Sequence, residues 1–581
     1  MADMVNLKIN GVAVSVPKGS TILDAARKIG IEIPTLCFMK EINEIGACRI
    51  CIVEANEGRG FRQVTACVYP VSEGMEVLTN TAKIQAARKT TLELMLSVHE
   101  MNCLSCVRST NCELQKLCHE YGVDMNAFEG AKPKYEKDTS TAHLVRDNNK
   151  CILCRRCVAA CKQQYVSVIG PNDRGFDTAI GQPFKVSLNE TPCISCGQCT
   201  VVCPTAALTE KDDTDKVWAA LADPSKHVVV HTAPSIRATI GECFGMPIGT
   251  NVEGKMVAAL RRLGFDRVFD TNFGADLTIV EEANELVERI KEGGTLPMIT
   301  SCSPGWVKFC ELYYPELIGH LSSCKSPQQM SGAVIKTYYA EKMGIDPKDI
   351  FCVSIMPCTA KKFEIGREDQ SASGYPDIDV ALTTREAARM MQRLGINFEN
   401  LPDEEFDSPL GDDTGAAVIF GATGGVMEAA VRTANAWLNG ATEAIDLEAV
   451  RGTQGIKEAT VEVGGTPLKL CVASGAANAK IVMDKLAAGN PDGWGFIEIM
   501  CCPGGCVNGG GQPIQPQSVR DTVDLKALRA KALYDQDAGM ALRMSHESPV
   551  IKTLYKDWYG DFGSEKAHHA LHTSYVKRKK Y

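Results

Sequence analysis

The pattern of hydrophobic and polar positions divides the chain into a β-rich beginning and a longer mixed part. Between residues 7 and 30 apolar positions first alternate and then recur at helical spacing, which predicts two strands and a helix capped near Ser20 or Thr21. Residues 48–71 alternate on both sides of a Gly-rich turn, which predicts a hairpin. Residues 82–100 then carry a helical pattern and lead into a polar stretch.

From about residue 226 short apolar runs alternate with helical segments. We expect buried strands within residues 227–235, 267–272, 296–301, 350–357 and 415–421. Strands that alternate with helices in this way favour an α/β architecture for the rest of the chain.

Composition narrows the functional class. The chain has 581 residues and a net charge of −9, and basic residues cluster only in the final YVKRKKY, so we expect no nucleic-acid partner. No apolar run approaches the roughly 20 residues of a membrane span, so none is expected. The first residues lack the apolar core of an export signal, which predicts a cytoplasmic protein.

Cysteine is the outlier, with 26 residues, of which 16 lie between Cys37 and Cys203. In a long chain without an export signal, this usage indicates metal ligation rather than disulfides.

Two cysteine runs share the spacing C-x2-C-x2-C-x3-C, and the second is followed by Pro204. In two-cluster ferredoxins the fourth cysteine of each run ligates the other 4Fe–4S cluster. A pair of zinc knuckles fits two complete runs less well. The predicted ligand sets are Cys151, Cys154, Cys157 and Cys203 for one cluster, and Cys193, Cys196, Cys199 and Cys161 for the other.

Two further groups of possible ligands precede these runs. One lies in the β-rich part and predicts a 2Fe–2S cluster, with a structural zinc site as the alternative. The other predicts a 4Fe–4S cluster with one histidine ligand, because an imidazole can replace a thiolate on iron. The first group is Cys37, Cys48, Cys51 and Cys67, and the second is His99, Cys103, Cys106 and Cys112.

Three later loops also carry cysteines, namely TSCSPGW (300–306), MPCTAKKFE (356–364) and MCCPGGCVNGGGQP (500–513). Together with TAPS (232–235), FGADLTIVEEANELVER (273–289) and SSCKSPQQ (322–329), they resemble the signatures of the FeFe-hydrogenases. The resemblance extends over essentially the whole chain, including the order of the four cluster motifs.

This resemblance implies a multi-domain protein. Its parts would be a β-rich 2Fe–2S ferredoxin-like domain (1–80), a small 4Fe–4S domain with one histidine and three cysteine ligands (81–140), a two-cluster 4Fe–4S ferredoxin domain (141–212) and a large α/β H-cluster domain (213–581). The implied cofactors are one 2Fe–2S cluster, three accessory 4Fe–4S clusters and the H-cluster, a 4Fe–4S cube bridged to a diiron unit with CO, cyanide and dithiolate ligands.

The resemblance also implies roles for single residues. Cys506 matches the bridging cysteine, and Cys358 and Cys502 match ligands of the cube. The family's residues that contact the cyanides correspond to Lys361, Pro234 and Ser235. The residues that match the pocket lining are Gln328, Met356 and Met500.

A proton path is implied through Cys302, Glu282, Ser322, Glu285 and Arg289. Independently of the resemblance, the spacing of Glu282, Glu285 and Arg289 puts them on one face of a helix. A solvated face of ion pairs is the alternative interpretation.

The chain departs from the family pattern at two positions. The family has a second cysteine after the shuttle thiol, where this chain has Ser303, and a small residue where it has Cys501. We favour Cys501 as the fourth cube ligand with Cys302 as the proton shuttle. Alternatively, Cys302 ligates the cube and Cys501 or water carries protons, or Ser303 ligates it, although a hydroxyl is a poor partner for this iron.

The expected function is reversible hydrogen oxidation and proton reduction, with H2 and protons as substrates. We expect a complex that couples H2 to ferredoxin and NAD(P), with flavin- and NAD(P)-binding partner subunits, because the chain has no convincing dinucleotide-binding turn of its own. Dedicated maturases would supply the diiron unit. The alternatives are a stand-alone ferredoxin-dependent hydrogenase and a non-catalytic H2 sensor or assembly relative.

Overall fold

The N-terminal part is a five-stranded sheet with strand order β2-β1-β5-β3-β4. The structure, a computed structural model, describes residues 3–580; Met1, Ala2 and Tyr581, which fall in the first and last predicted domains, lie outside the described residues. The elements are β1 (Met4–Ile9), β2 (Val12–Pro17), α1 (Ile22–Lys28), β3 (Ile52–Asn56), β4 (Arg62–Thr65) and β5 (Glu76–Leu78). Both predicted hairpins and the helix capped by Thr21 are confirmed.

Short elements surround the cysteine runs. They are α2 (Ala82–Val98), α3 (Glu113–Glu120), β6 (Leu144–Arg146), α4 (Arg156–Gln163), β7 (Gly170–Asn172), β8 (Ala179–Gly181), α5 (Gln198–Val201) and β9 (Leu208–Glu210). The backbone between consecutive cysteines turns through left-handed conformations at Leu153 (φ 54°), Arg155 (φ 62°) and Ser195 (φ 62°). Such turns let thiols two residues apart point toward one place.

The remaining chain contains two four-stranded sheets and most of the helices. Its elements are α6 (Thr214–Leu221), β10 (His227–Thr232), α7 (Glu253–Leu263), β11 (Arg267–Asp270), α8 (Thr271–Glu292), β12 (Met298–Ile299), α9 (Pro304–Tyr313), α10 (Pro327–Val334), α11 (Ala340–Met343), β13 (Ile350–Met356), α12 (Ala360–Glu364), β14 (Val380–Thr383), α13 (Thr384–Arg393), α14 (Gly415–Val418), α15 (Gly425–Asn439), β15 (Ile456–Val463), β16 (Thr466–Ser474), α16 (Ala476–Ala487), β17 (Phe496–Met500), α17 (Gln517–Thr522), α18 (Leu525–Gly539), α19 (Pro549–Leu554) and α20 (Glu565–Leu571).

One sheet has the order β11-β10-β13-β14 with all neighbours parallel, and the other has the order β12-β17-β16-β15 with only β15 antiparallel. Helix α8 packs between them. Phe273 and Leu277 join the apolar cluster of the first sheet, whereas Ala275 and Ile279 join that of the second. Residues 271–283 are therefore buried on every side, as expected for a helix covered on both faces.

The predicted strand at residues 415–421 is wrong. This run forms α14 and a following turn of 3₁₀-helix. Thr414 stands before it, and its hydroxyl and amide donate to the buried carboxylate of Asp276 on α8 at 2.7 and 2.9 Å. A short apolar run of this kind does not distinguish a buried strand from a buried helix by periodicity, and here packing on α15 and α18 decides for helix.

Candidate active site

Four strand ends from the two sheets meet at one cleft. Pro234 and Ser235 follow β10, Cys302 follows β12, and β13 and β17 end with Met356 and Met500. All five residues are buried. Because loops at the carboxyl ends of parallel strands form binding crevices, this cleft is the candidate site.

Three thiols in the cleft form a connected set. The thiol of Cys502 lies within interacting distance of those of Cys358 and Cys501. Cys506 lies near enough for the charge of Cys502 to raise its pKa, which burial and that charge bring to about 12. The sequence-predicted ligands Cys358, Cys502 and Cys506 are thus brought together, with Cys501 beside them.

Cys302 is a buried thiol after β12. Its own neighbours are Glu282 and Cys506, and burial together with their negative charges raises the pKa of its thiol well above the usual range. The thiol of Cys501 lies within interacting distance of that of Cys196 in the second cysteine run. The hydroxyl of Ser303 accepts a hydrogen bond from the amide of Cys501 at 3.2 Å, so Ser303 holds the backbone of that loop.

The side chain of Lys361 ties two loops of the cleft together. Its Nζ donates to the carbonyl of Cys302 at 3.2 Å, to Ser326 Oγ at 2.7 Å and to the carboxylate of Glu364 at 2.8 Å. Gln328 donates to the same carboxylate at 3.0 Å and accepts from Ser354. Glu364 is therefore a functional neighbour that sequence reasoning missed, although its position three residues after Lys361 could have indicated an ion pair.

Two further residues fix the third cysteine loop and were also missed. Gln512 donates to Ser235 Oγ at 3.3 Å and to the carbonyl of Cys506 at 3.1 Å. Arg385 donates to the carbonyls of Gln512 and Gly510 at 2.6 and 3.0 Å. Gln512 belongs to the quoted GGGQP stretch, but no local pattern marks Arg385, because it comes from a helix more than 100 residues away in the sequence.

Hydrogen bonds connect the outer three residues of the predicted proton path. Ser322 Oγ donates to Glu285 at 2.8 Å, and Arg289 donates to the same carboxylate at 2.6 Å. Glu282 is fully buried, and neither of its carboxylate oxygens has a hydrogen-bond partner among the described residues. Burial first, and then the charge of Glu285, raise the pKa of Glu282 to about 8. This carboxyl group lies beside Cys302.

The accessory cysteines group as predicted. Two cavities lie between the cysteine runs, each with four cysteines in its lining. One is lined by Cys151, Cys154, Cys157 and Cys203, and the other by Cys161, Cys193, Cys196 and Cys199.

The structure also places the two remaining ligand groups. Cys51 Sγ lies 3.2 Å from Cys67 Sγ, and Cys37 and Cys48 share a hydrogen bond. His99 ends α2, and its Nδ1 is buried without a hydrogen-bond partner among the described residues, while burial lowers the pKa of the ring to about 4. The imidazole is therefore neutral at pH 7, as a metal ligand must be. Cys103, Cys106 and Cys112 follow it in the next loop.

The donors present fit iron–sulfur clusters. All 26 cysteines are free thiols, and soft thiolates are the ligands that such clusters take. The cavities between the cysteine runs leave room for two clusters. The buried Nδ1 of His99, which lacks a hydrogen-bond partner among the described residues, could bind an iron atom.

The second cysteine run and the third active-site loop touch backbone to backbone. A methyl group on Gly510 would lie 2.6 Å from the Cα of Gly197, closer than real side chains allow. Thr200 Oγ donates to the Gly510 carbonyl at 3.0 Å, and Thr359 Oγ donates to the Ser195 carbonyl at 2.7 Å. The accessory cavity that contains Cys196 therefore lies directly against the cleft.

Known proteins match this arrangement along the whole chain. A family model described as "Iron only hydrogenase large subunit, C-terminal domain" matches residues 226–510. The NADP-reducing hydrogenase subunit HndD of Solidesulfovibrio fructosivorans is 46% identical over 591 residues, which cover 100% of both chains. The chain belongs to the iron-only hydrogenase family.

Other comparisons agree with this hydrogenase family. Iron hydrogenase 1 of Clostridium pasteurianum is 45% identical over 99% of this chain and 100% of its own. The solved apo FeFe-hydrogenase HydA1 from Chlamydomonas reinhardtii is 42% identical, with a TM-score of 0.56 over 63% of this chain and 99% of that one. The remaining models are "2Fe-2S iron-sulfur cluster binding domain" (2–82), "NADH-ubiquinone oxidoreductase-G iron-sulfur binding region" (88–126), "4Fe-4S dicluster domain" (150–207) and "Iron hydrogenase small subunit" (523–578).

The contact between Gly197 and Gly510 generates a prediction. Gly510→Ala should lower the stability of the hydrogenase by about 1–3 kcal/mol, because the added methyl group meets backbone that cannot rotate away. It should also slow ferredoxin-driven H2 evolution, since the cysteine run must move away from the cleft. The control is Gly319→Ala, whose methyl group meets nothing within 4 Å. Melting temperatures and turnover rates that are equal for both variants would contradict this account.

Proposed function

We propose that this iron hydrogenase catalyses H2 ⇌ 2H⁺ + 2e⁻ in both directions at an H-cluster in the cleft between the two sheets. The observation that carries the proposal is that two kinds of groups meet there. Cys502 connects through Cys501 to Cys196 of the second run, while Cys302 lies beside the buried carboxyl of Glu282. Electrons and protons can therefore reach one place by separate routes.

When bound, the H-cluster would supply a redox-active diiron unit with a basic amine for cleavage of H2. Cys358 and Cys502 would hold the cube, and Cys506 would bridge it to the diiron unit. Beyond that bridge, the protein would hold the diiron unit only by packing and hydrogen bonds. The residues proposed for this are Lys361, Pro234 and Ser235 at the cyanides and Gln328, Met356 and Met500 around the pocket.

Cys302 would carry protons to and from the cleft, followed by Glu282, Ser322, Glu285 and Arg289. A group relays protons best when its pKa lies near the working pH, and the pKa of about 8 at Glu282 meets that condition. Arg289 donates to the carboxylate of Glu285, so its proposed role is to hold Glu285 at the surface end of the path.

Cys501 is our proposed fourth ligand of the cube. Its thiol lies within interacting distance of that of Cys502, whereas Cys302 lies near the buried carboxyl of Glu282 as well as near Cys506. The Ser303 hydroxyl is already used by the Cys501 amide. These contacts favour Cys501 over Cys302 and Ser303.

The accessory clusters, proposed as one 2Fe–2S and three 4Fe–4S, would form a branched electron path. Asn43 of the N-terminal part donates to the carbonyls of both Cys37 and Cys154 at 2.8 and 3.0 Å. In the histidine-bearing part, Cys112 Sγ contacts the Pro204 carbonyl at 3.6 Å. Both inputs would therefore reach the cluster of the first run, and the cluster of the second run would pass electrons to the cleft.

For the physiological context we propose a complex that splits electrons between ferredoxin and NAD(P), with flavin- and NAD(P)-binding partner subunits and dedicated maturases. The full-length likeness to an NADP-reducing hydrogenase subunit supports it. The alternative is a stand-alone ferredoxin-dependent hydrogenase, which the similar likeness to iron hydrogenase 1 keeps open. Cytosolic Fe-S cluster assembly factor narfl of Xenopus tropicalis is less similar, at 29% identity over 67% of this chain, which disfavours an assembly role.

The four domain ranges given above and a cytoplasmic location complete the proposal. No helix within residues 3–580 is both long and apolar enough to cross a membrane.

Maturated protein should evolve H2 from reduced viologen, and Glu282→Gln should lower that rate by roughly 100-fold or more, because the amide cannot pass on a proton. The matched control is Glu288→Gln on the same helix, whose side chain bonds only to Asn284 among the described residues. Iron content and cluster spectra should be unchanged in both variants. An inactive, fully maturated protein would overturn the enzymatic function, and a fully active Glu282→Gln would overturn the proton path.

Purification under anaerobic conditions from the native source should yield the chain together with a flavoprotein that reduces NAD(P). Removal of that subunit should abolish NAD(P)-linked turnover and leave viologen-linked turnover intact, because the chain itself has the H2 site. A native preparation of the single chain, fully active with ferredoxin alone, would favour the stand-alone hydrogenase.

A further inference from the structure

A second group of possible metal ligands lies at the outer end of the proposed proton path. Glu285 on α8, Cys324 in the loop before α10 and His572 at the end of α20 each offer one ligand atom, and these atoms lie within 4.8 Å of one another. Cys324 Sγ is already 3.9 Å from Glu285 Oε2. We infer that this cluster binds Zn²⁺ and that the bound ion blocks the proposed proton path.

The mixture of donors selects the metal. A thiol, an imidazole and a carboxylate are the ligands that Zn²⁺ takes, whereas Ca²⁺ and Mg²⁺ take oxygen alone. Tetrahedral zinc with ordinary bond lengths separates its ligand atoms by about 3.3–3.6 Å. The three side chains therefore need to close by little more than 1 Å. Three protein ligands would leave a fourth position for water, as in open zinc sites.

His572 is held in the orientation and tautomer that a ligand needs. Its Nε2 lies 3.0 Å from a carboxylate oxygen of the buried Glu281, which can only accept, so the hydrogen is on Nε2. The lone pair is then on Nδ1, which accepts from Ser323 Oγ at 2.8 Å. A serine hydroxyl can rotate away and release Nδ1 to a metal. Carboxylate, histidine and metal in this order are a common arrangement of zinc sites.

The local charge also favours a dication. Glu281 and Glu285 supply two carboxyl groups. Cys324 adds a thiolate, because a cysteine that binds a metal releases its proton. In the described residues, the arginine or lysine that pairs with these three side chains is Arg289, and it donates to Glu285 Oε1. The other oxygen, Oε2, faces Cys324.

A second cluster of carboxylates differs in this respect. Glu428, Asp446 and Asp537 also lie close together, but three arginines pair with them, so cations already fill that cluster. Those arginines are Arg432, Arg451 and Arg543.

Zinc on Glu285 Oε2 would compete with two hydrogen bonds there, one from the Ser322 hydroxyl and one from the Ser323 amide at 3.0 Å. Glu285 Oε2 is the atom that accepts from Ser322 Oγ at 2.8 Å, and a metal on Oε2 would displace that hydroxyl. The consequence for turnover rests on the proposed function, because it requires Ser322 and Glu285 to carry protons. The binding site itself does not.

The test uses the intact holoenzyme under anaerobic conditions, titrated with Zn²⁺ and then desalted. Zinc-edge X-ray absorption should show one sulfur at about 2.3 Å with nitrogen and oxygen at about 2.0 Å, and iron content should stay constant. Cys324→Ser and His572→Gln should each weaken zinc binding by at least about 10-fold. Cys243→Ser, which removes a thiol elsewhere, should leave binding unchanged.

Ser323→Ala gives a second variant that does not depend on loss of a ligand. It should bind zinc as tightly as the parent or more tightly, because it removes the competitor for Nδ1. Zinc without a sulfur ligand, or equal affinity in the Cys324→Ser and His572→Gln variants and the parent, would overturn the site. If zinc binds with the expected ligands but H2 evolution is not lost, the inferred binding site stands. The role of Ser322 and Glu285 in proton transfer is then overturned.

Discussion

The backbone contact between Gly197 and Gly510 is the constraint on which the electron path depends. A side chain at either position would separate the second cysteine run from the third active-site loop, and with them Cys196 from Cys502. The contact is reinforced by Arg385, which donates to the Gly510 carbonyl and pairs with Glu210 at the end of the ferredoxin-like part. A buried ion pair of this kind fixes a geometry more than it adds stability.

The proposed proton path depends on a different constraint, the enclosure of α8 between two sheets. A helix covered on both faces can present a carboxyl group such as Glu282 to a dry cleft, and the dry surroundings raise its pKa. The same helix reaches the surface at Glu285 and Arg289. One element therefore extends from the cleft to solvent, and the C-terminal segment packs over its outer end through His572.

Features with a local signature could be predicted from the sequence. The cysteine runs fix which thiols can converge, and the structure groups Cys151, Cys154 and Cys157 with Cys203 as the spacing indicates. The hairpins of the N-terminal sheet follow from alternation and turn residues in the same way.

Features that depend on tertiary contacts could not be predicted. The run at residues 415–421 is apolar enough for a strand, and only its neighbours make it a helix. Arg385 and Gln512 act through the backbone of a distant loop, which no spacing reveals. Cys324 was quoted in a motif, but its partner His572 lies 248 residues later in the chain.

The central claim is that Cys501 takes the place left by Ser303 and that the cleft then holds a complete H-cluster. The most direct measurement is a crystal structure of the maturated protein with iron located by anomalous scattering. We predict four cube irons, each about 2.3 Å, an ordinary metal–thiolate distance, from one of the Sγ atoms of Cys358, Cys501, Cys502 and Cys506, with Cys302 unligated. Iron bound to Cys302 with Cys501 free, or no iron in the cleft of active protein, would contradict the account.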